Sequence, residues 1–222
     1  MRRLLLALLL ACATWAQAAP YAVQLGAERV VLDAAPGFSD TTFLASPRLQ
    51  ELAESLTSAS NRILLFAITD ADLRRFMNGD RMDLRRYMIA VTPGGLERER
   101  VSHALFATFV GDSLRGLGQP VQAADYVKYL DAQPEGKASL LAELRKDPEV
   151  VSVLQGTRLP PLASSWNEKP QYLLSTTTLL LVRGKALNVA VYSGYDDAAD
   201  LEWIRFITQR WVEELLRLNA RK

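Results

Sequence analysis

Hydrophobic positions along the chain follow two rhythms, and their alternation predicts the elements. Tyr21 to Leu25 and Glu28 to Asp33 read as two short strands around Gly26-Ala27, ended by Pro36-Gly37. Ser46-Pro47 then opens a helix, with serine as N-cap and proline at the first helical position. Leu49, Leu52, Ala53 and Leu56 follow at helical spacing and give it one apolar stripe. Asn61 to Thr69, NRILLFAIT, is a continuous apolar run and reads as a strand buried on both faces. Thr69 or Asp70 caps a short helix that Asn78-Gly79 ends. Residues 98–115 read as a further helix, with Val101, Leu105, Phe109 and Val110 among its apolar positions.

The last third carries the strongest pattern. Gln171 to Val182, QYLLSTTTLLLV, reads as a strand, Arg183-Gly184-Lys185 as a turn, and Leu187 to Ser193 as the returning antiparallel strand. Asp197 or a neighbour caps a long helix striped by Ile204, Ile207, Trp211, Leu215 and Leu218, with Trp203 and Phe206 beside it. Strands apolar on both faces require helices on both sides of the sheet. The expected fold is therefore α+β, a three-layer α/β/α sandwich around a mostly antiparallel sheet. Residues 119–161 differ in character. QAADYVKYLDAQ and KASLLAELRKD suggest two modest helices separated by Pro134-Glu135-Gly136, a helical insertion or lid on the main sheet.

One short pattern occurs twice. Asp72-Leu73-Arg74-Arg75-Phe76-Met77 returns as Asp83-Leu84-Arg85-Arg86-Tyr87-Met88. The first copy falls on the short helix. The second runs into MIAVTPGG, which reads as the start of a strand. The same residues would thus present their arginines with different geometry. Asp72 to Met88 holds five arginines and three aspartates, a local excess of only two positive charges, as expected of a self-paired charged face. The functional alternative is a binding patch for an anion or partner at Arg74, Arg75, Arg85 and Arg86.

Composition narrows the chemistry. The chain opens MRRLLLALLLACATWAQAAP: two arginines, an apolar run too short to span a bilayer, and a small-x-small site at Ala16-Gln17-Ala18. This is the pattern of a cleaved secretory signal over 1–18, leaving one domain over 19–222 and predicting a periplasmic location. No later segment is long and apolar enough to predict a transmembrane span. Leu9-Leu10-Ala11-Cys12 offers the alternative of a lipoprotein anchored at Cys12. Of the 26 basic residues 20 are arginine. Removing Arg2 and Arg3 leaves 24 basic against 25 acidic residues, a net charge near −1 with no general attraction for nucleic acid. Cys12 is the one cysteine, so the mature chain would lack disulfides, thiol catalysis and thiolate metal sites.

ERVVLDAAPGF near the start and TTTLLLVRGKALNVAVYSGYDDAADLEWIRFITQRWVEELL near the end resemble the Mog1/PsbP-like α/β/α sandwich, in particular exported bacterial proteins of that shape. The resemblance covers about two-thirds of the chain and leaves 119–161 outside it. It implies a scaffold that docks on protein partners, as in photosystem accessory proteins and a nuclear-transport cofactor. No functional residue of the family carries over.

Catalytic signals are sparse. His103 is the one histidine, and Ser102 beside it points elsewhere if both lie on one helix. Neither a nucleophile elbow, a phosphate loop nor a zinc ligand set is present. The acids from Asp196 to Glu202 suit the positive end of the following helix better than a calcium loop. The primary expectation is an exported, non-catalytic envelope protein that binds a protein partner and needs no cofactor or metal. Two alternatives stay open: a periplasmic hydrolase using a carboxylate and His103, and a small-ligand or lipid carrier. Thr176 to Thr178 would line one face of the sheet in the last case.

Overall fold

The structure, a computed structural model, describes residues 20–123, 125–161 and 170–220. The leader, Cys12 included, lies outside them. The elements are β1 (Tyr21–Leu25), β2 (Glu28–Leu32), β3 (Phe38–Asp40), α1 (Pro47–Ser55), β4 (Asn61–Thr69), α2 (Asp70–Met77), β5 (Arg86–Pro93), α3 (His103–Ser113), α4 (Tyr126–Asp131), β6 (Ala138–Asp147), β7 (Val150–Arg158), β8 (Tyr172–Val182), β9 (Lys185–Gly194) and α5 (Ala198–Asn219). Strands β3-β4-β5-β9-β8-β7-β6 form one antiparallel sheet in that order, and β1-β2 a separate hairpin.

The alternation of side chains along β9 shows why helices cover both faces. Leu187, Val189 and Val191 join the core beneath α5, against Ile204, Ile207, Trp211 and Leu215. Ala190 faces the other way, toward Leu49 and Ala53 of α1, and Ala186 toward Phe106 of α3. A strand that carries apolar residues on both of its faces can be satisfied only this way. The β1-β2 hairpin shares the α5 side. Trp211 donates its indole N–H to the Asp33 carbonyl at 2.7 Å. Asn219 then acts as a strand edge for Val31, accepting its N–H at 2.8 Å and donating to its carbonyl at 2.7 Å.

Local signals fixed most boundaries. Ser46 accepts the Leu49 N–H, Thr69 that of Asp72, and Asp197 that of Ala199, so each helix starts where a side chain replaces a missing backbone acceptor. The 98–115 segment is a correction. Residues 97–101 are not helical: Gly94–Leu96 forms a single 3-10 turn, Val101 donates its N–H to Gly184 O, and helix begins only after Ser102 caps Leu105. Its buried residue is Phe106, while Leu105 is exposed.

The larger correction concerns 119–161. KASLLAELRKD is strand β6, not a helix, and β7, which the sequence reading left within the insertion, is its antiparallel partner. Alanine, leucine, glutamate and lysine favour helix locally, but each is a weak prior that tertiary pairing overrides. Here β7 pairs with β8 over nine registered positions from Val150↔Leu180 to Arg158↔Tyr172, and β6 pairs onto its outer edge. The segment extends the main sheet, and among its described residues only α4 is helical. That helix lies close over β7 at Gly156, where a Cβ would sit 2.9 Å from both Leu130 Cδ1 and Leu141 Cδ1.

Candidate functional site

The two copies of the repeated pattern take opposite roles. In the first, Asp72 is buried at the start of α2 and faces inward, while Arg74 and Arg75 are exposed. Arg75 lies 3.5 Å from Asp72 and 3.9 Å from Asp83. Arg74 forms no ion pair among the described residues. Three positions on, along the same helical face, Met77 is 69% exposed. Helix α2 is held rigidly beneath them by its Thr69 cap, by Asp70 accepting from the Ser39 hydroxyl, and by Leu73 and Phe76 packed on the sheet.

In the second copy, Arg85 and Arg86 turn inward to one carboxylate. Arg85 donates to Asp200 at 2.7 Å and to Asp196 at 2.5 Å, and Arg86 donates to the other oxygen of Asp200 at 2.9 Å. Asp200 is 4% exposed, in the first turn of α5. The Arg86 guanidinium also lies 4.0 Å over the Trp203 ring, a cation–π contact. Burial alone would raise the Asp200 carboxyl, but the Asp196 N–H and the Arg86 and Arg85 guanidiniums outweigh it and hold it below the usual carboxylate range. The structure thus places Arg85 and Arg86 in a clamp that joins β5 to α5, apart from the exposed face of Arg74 and Arg75. The sequence signal for this was available: acidic residues in the first turn of α5 invite cationic partners, but only contact shows which arginines answer.

His103 stands at the first position of α3, 3.2 Å from Glu149, at the mouth of a cavity of about 450 Å³. Arg100 and Arg183 also line it. Both His103 and Glu149 are more than half exposed, and the Ser102 hydroxyl is occupied as the α3 cap. The arrangement supplies an exposed imidazole–carboxylate contact beside two cations, without a desolvated base or a nucleophile in contact with it. Among the described residues, no group of three histidine, cysteine, aspartate or glutamate side chains is placed to hold a metal ion. Nor is any described helix long and apolar enough to cross a membrane.

Sequence reasoning missed a second cavity altogether, because β6 and β7 form one of its walls. It is a groove of about 580 Å³ between α5 and the β6-β7 hairpin. Ser152 and Thr208 are at its floor, with Leu144 and Val212 beside them and Arg145 and Arg205 above.

No family model matches the sequence, and no curated protein matches it. Two solved structures of Mog1 are similar to the chain across nearly its whole length. One is the Saccharomyces cerevisiae Ran-binding protein Mog1p, 12% identical, with 91% of this chain and 99% of that chain covered at a TM-score of 0.39. The other is a point mutant of protein Mog1, also 12% identical, with 92% and 95% covered at a TM-score of 0.35.

Proposed function

We propose that the protein is exported to the cell envelope and there binds a protein partner through the outward face of α2, without catalysis. Met77 carries the reading. It is a large apolar side chain, 69% exposed, on a helix pinned from behind, with Arg74 and Arg75 alongside. Methionine and arginine are enriched, and aspartate and lysine depleted, where protein interfaces are desolvated. A rigid support lowers the ordering cost of association. Export rests on the leader-like first 18 residues, and the near-neutral charge of the remainder disfavours nucleic acid as the partner.

The test is a photo-crosslinking residue placed at Met77 in intact cells, with a control probe at the exposed Lys128 on α4. The expected result is a discrete envelope-fraction adduct from position 77 alone, reduced roughly tenfold by Arg74→Glu, the loss expected of a contact worth about 1.4 kcal/mol. Equal labelling from both positions, or an adduct indifferent to Arg74→Glu, would remove α2 as the binding face.

A further inference from the structure

The groove between α5 and the β6-β7 hairpin has hydroxyl groups whose hydrogens do not balance within the fold. Two hydroxyl pairs stand behind its floor: Ser152 and Thr178 at 2.6 Å, and Thr176 and Thr208 at 2.9 Å. Each pair contains two O–H donors, and a pair can use only one of them internally. Thr176 and Thr178 are 0% exposed and make no other hydrogen bond as donors among the described residues. Thr176 already accepts the Val191 N–H at 3.3 Å. An orphaned donor at either threonine would carry the full desolvation cost of a buried polar group, about 1–3 kcal/mol. The lower-energy arrangement has Thr178 donating to Ser152 and Thr176 donating to Thr208. That leaves the hydrogens of Ser152 and Thr208 for whatever occupies the groove, and both residues line it while being only 4% and 2% exposed.

The surroundings define the acceptor further. Leu144 and Val212 give the groove apolar walls. Arg145 is paired with Asp147; Glu213, also on the rim, accepts from the neutral amide of Gln209 at 2.9 Å and keeps its negative charge. Arg205 forms no ion pair among the described residues. The volume of about 580 Å³ lies within the usual range for small-molecule sites, about 300–1,000 Å³. We propose that this groove binds a small carboxylate with an apolar body, its oxygens accepting from Ser152 and Thr208, its charge met by Arg205, and its body resting on Leu144 and Val212. The site is separate from α2 and independent of partner binding there.

The experiment titrates the whole chain lacking its first 18 residues with octanoate, acetate and octylammonium, following threonine and valine methyl resonances by NMR. Saturable shifts at Thr208, Thr178 and Val212 are expected with octanoate, at an affinity at least tenfold above acetate, with none from octylammonium. Ser152→Ala and Thr208→Val should each weaken octanoate roughly tenfold, as for a hydrogen bond to a charged group. Thr208→Ser, which keeps the hydroxyl, should restore binding and guards against a merely disrupted fold. Absence of saturable shifts with octanoate, equal binding of octylammonium, equal affinity for acetate, or unchanged affinity in both Ser152→Ala and Thr208→Val would overturn the assignment and leave water as the acceptor.

Discussion

The Asp72 carboxylate accepts the backbone N–H of Asp83, its counterpart in the second copy of the repeated pattern, at 2.7 Å. Its other oxygen accepts the N–H of Leu84 at 3.2 Å. Leu84 sits at φ 52°, a left-handed conformation that a branched side chain adopts only when its surroundings enforce it. The first copy therefore folds the second: an aspartate in the first turn of α2 holds, through its carboxylate, the bend that leads the chain into β5.

Asp72→Ala should accordingly cost more than an ordinary cap. It leaves the Thr69 cap bond in place, since that bond uses the Asp72 backbone N–H, but it orphans the N–H groups of Asp83 and Leu84 and removes a negative charge from the first turn of α2. A loss of about 1–4 kcal/mol follows, from part-buried donors left without an acceptor, about 1–3, and the lost first-turn charge at the helix N-terminus, about 0.3–1. Arg75→Ala, which removes only exposed pairs, should change stability by less than about 1 kcal/mol. Urea unfolding of both variants checks the contrast. Equal effects would show that the carboxylate acts only through Arg75.

The clamp at Asp200 predicts a pH dependence with a definite sign. Its carboxyl is held below the ordinary value of 3.8 in the folded protein, so the folded state binds the proton less readily than the unfolded one. The clamp's stabilisation is then complete above about pH 4 and is lost as pH falls through the lower, folded-state value. Asp33 works in the opposite sense, since burial raises its carboxyl and stability gains as it protonates. The decisive measurement is therefore the difference between the native chain and Asp200→Asn. The variant should be less stable near neutrality and the gap should close on acidification. A gap independent of pH between about 2 and 6 would show that Asp200 acts through shape alone.

Contact between α4 and β7 at Gly156 predicts a compensating pair. Gly156→Ala places a methyl 2.9 Å from Leu130 and Leu141, an overpacking cost of about 1–3 kcal/mol. Leu130 is fully buried, so Leu130→Ala opens a cavity and costs about 2–5 kcal/mol alone. The double variant should be less damaged than the sum of the two, by at least about 0.5 kcal/mol, because the new methyl enters the space that Leu130 vacates. Strict additivity in chemical denaturation would place α4 elsewhere.

Processing at the N-terminus gives a prediction independent of the folded domain. If the proposed export holds, N-terminal sequencing of the protein recovered from the periplasmic fraction should read Ala19 first, from cleavage after Ala18. Fatty-acid labelling that disappears in Cys12→Ser would instead show lipidation at Cys12.

Half of the candidate arginine site was legible in the chain. Arg74 and Arg75 fall on a capped helix whose pattern shows which side faces solvent. For Arg85 and Arg86 the pattern gave only a strand start, and their partner Asp200 lies 115 and 114 residues away. Nothing local distinguishes an arginine that binds another molecule from one that closes onto the same chain.

The same division runs through the whole molecule. By itself the sequence determined β4, the β8-β9 hairpin, α1, α2 and α5, and the need for cover on both faces of the sheet, because caps, turns and hydrophobic period are interactions among neighbours. Tertiary structure alone decided that KASLLAELRKD is a strand, that α4 closes over Gly156, and that Ser152 and Thr208 line one groove. For KASLLAELRKD the local preference is worth only tenths of a kcal/mol per residue, while pairing with β7 satisfies a whole row of backbone groups at once; the other two are contacts between segments distant in the chain, which no local pattern records.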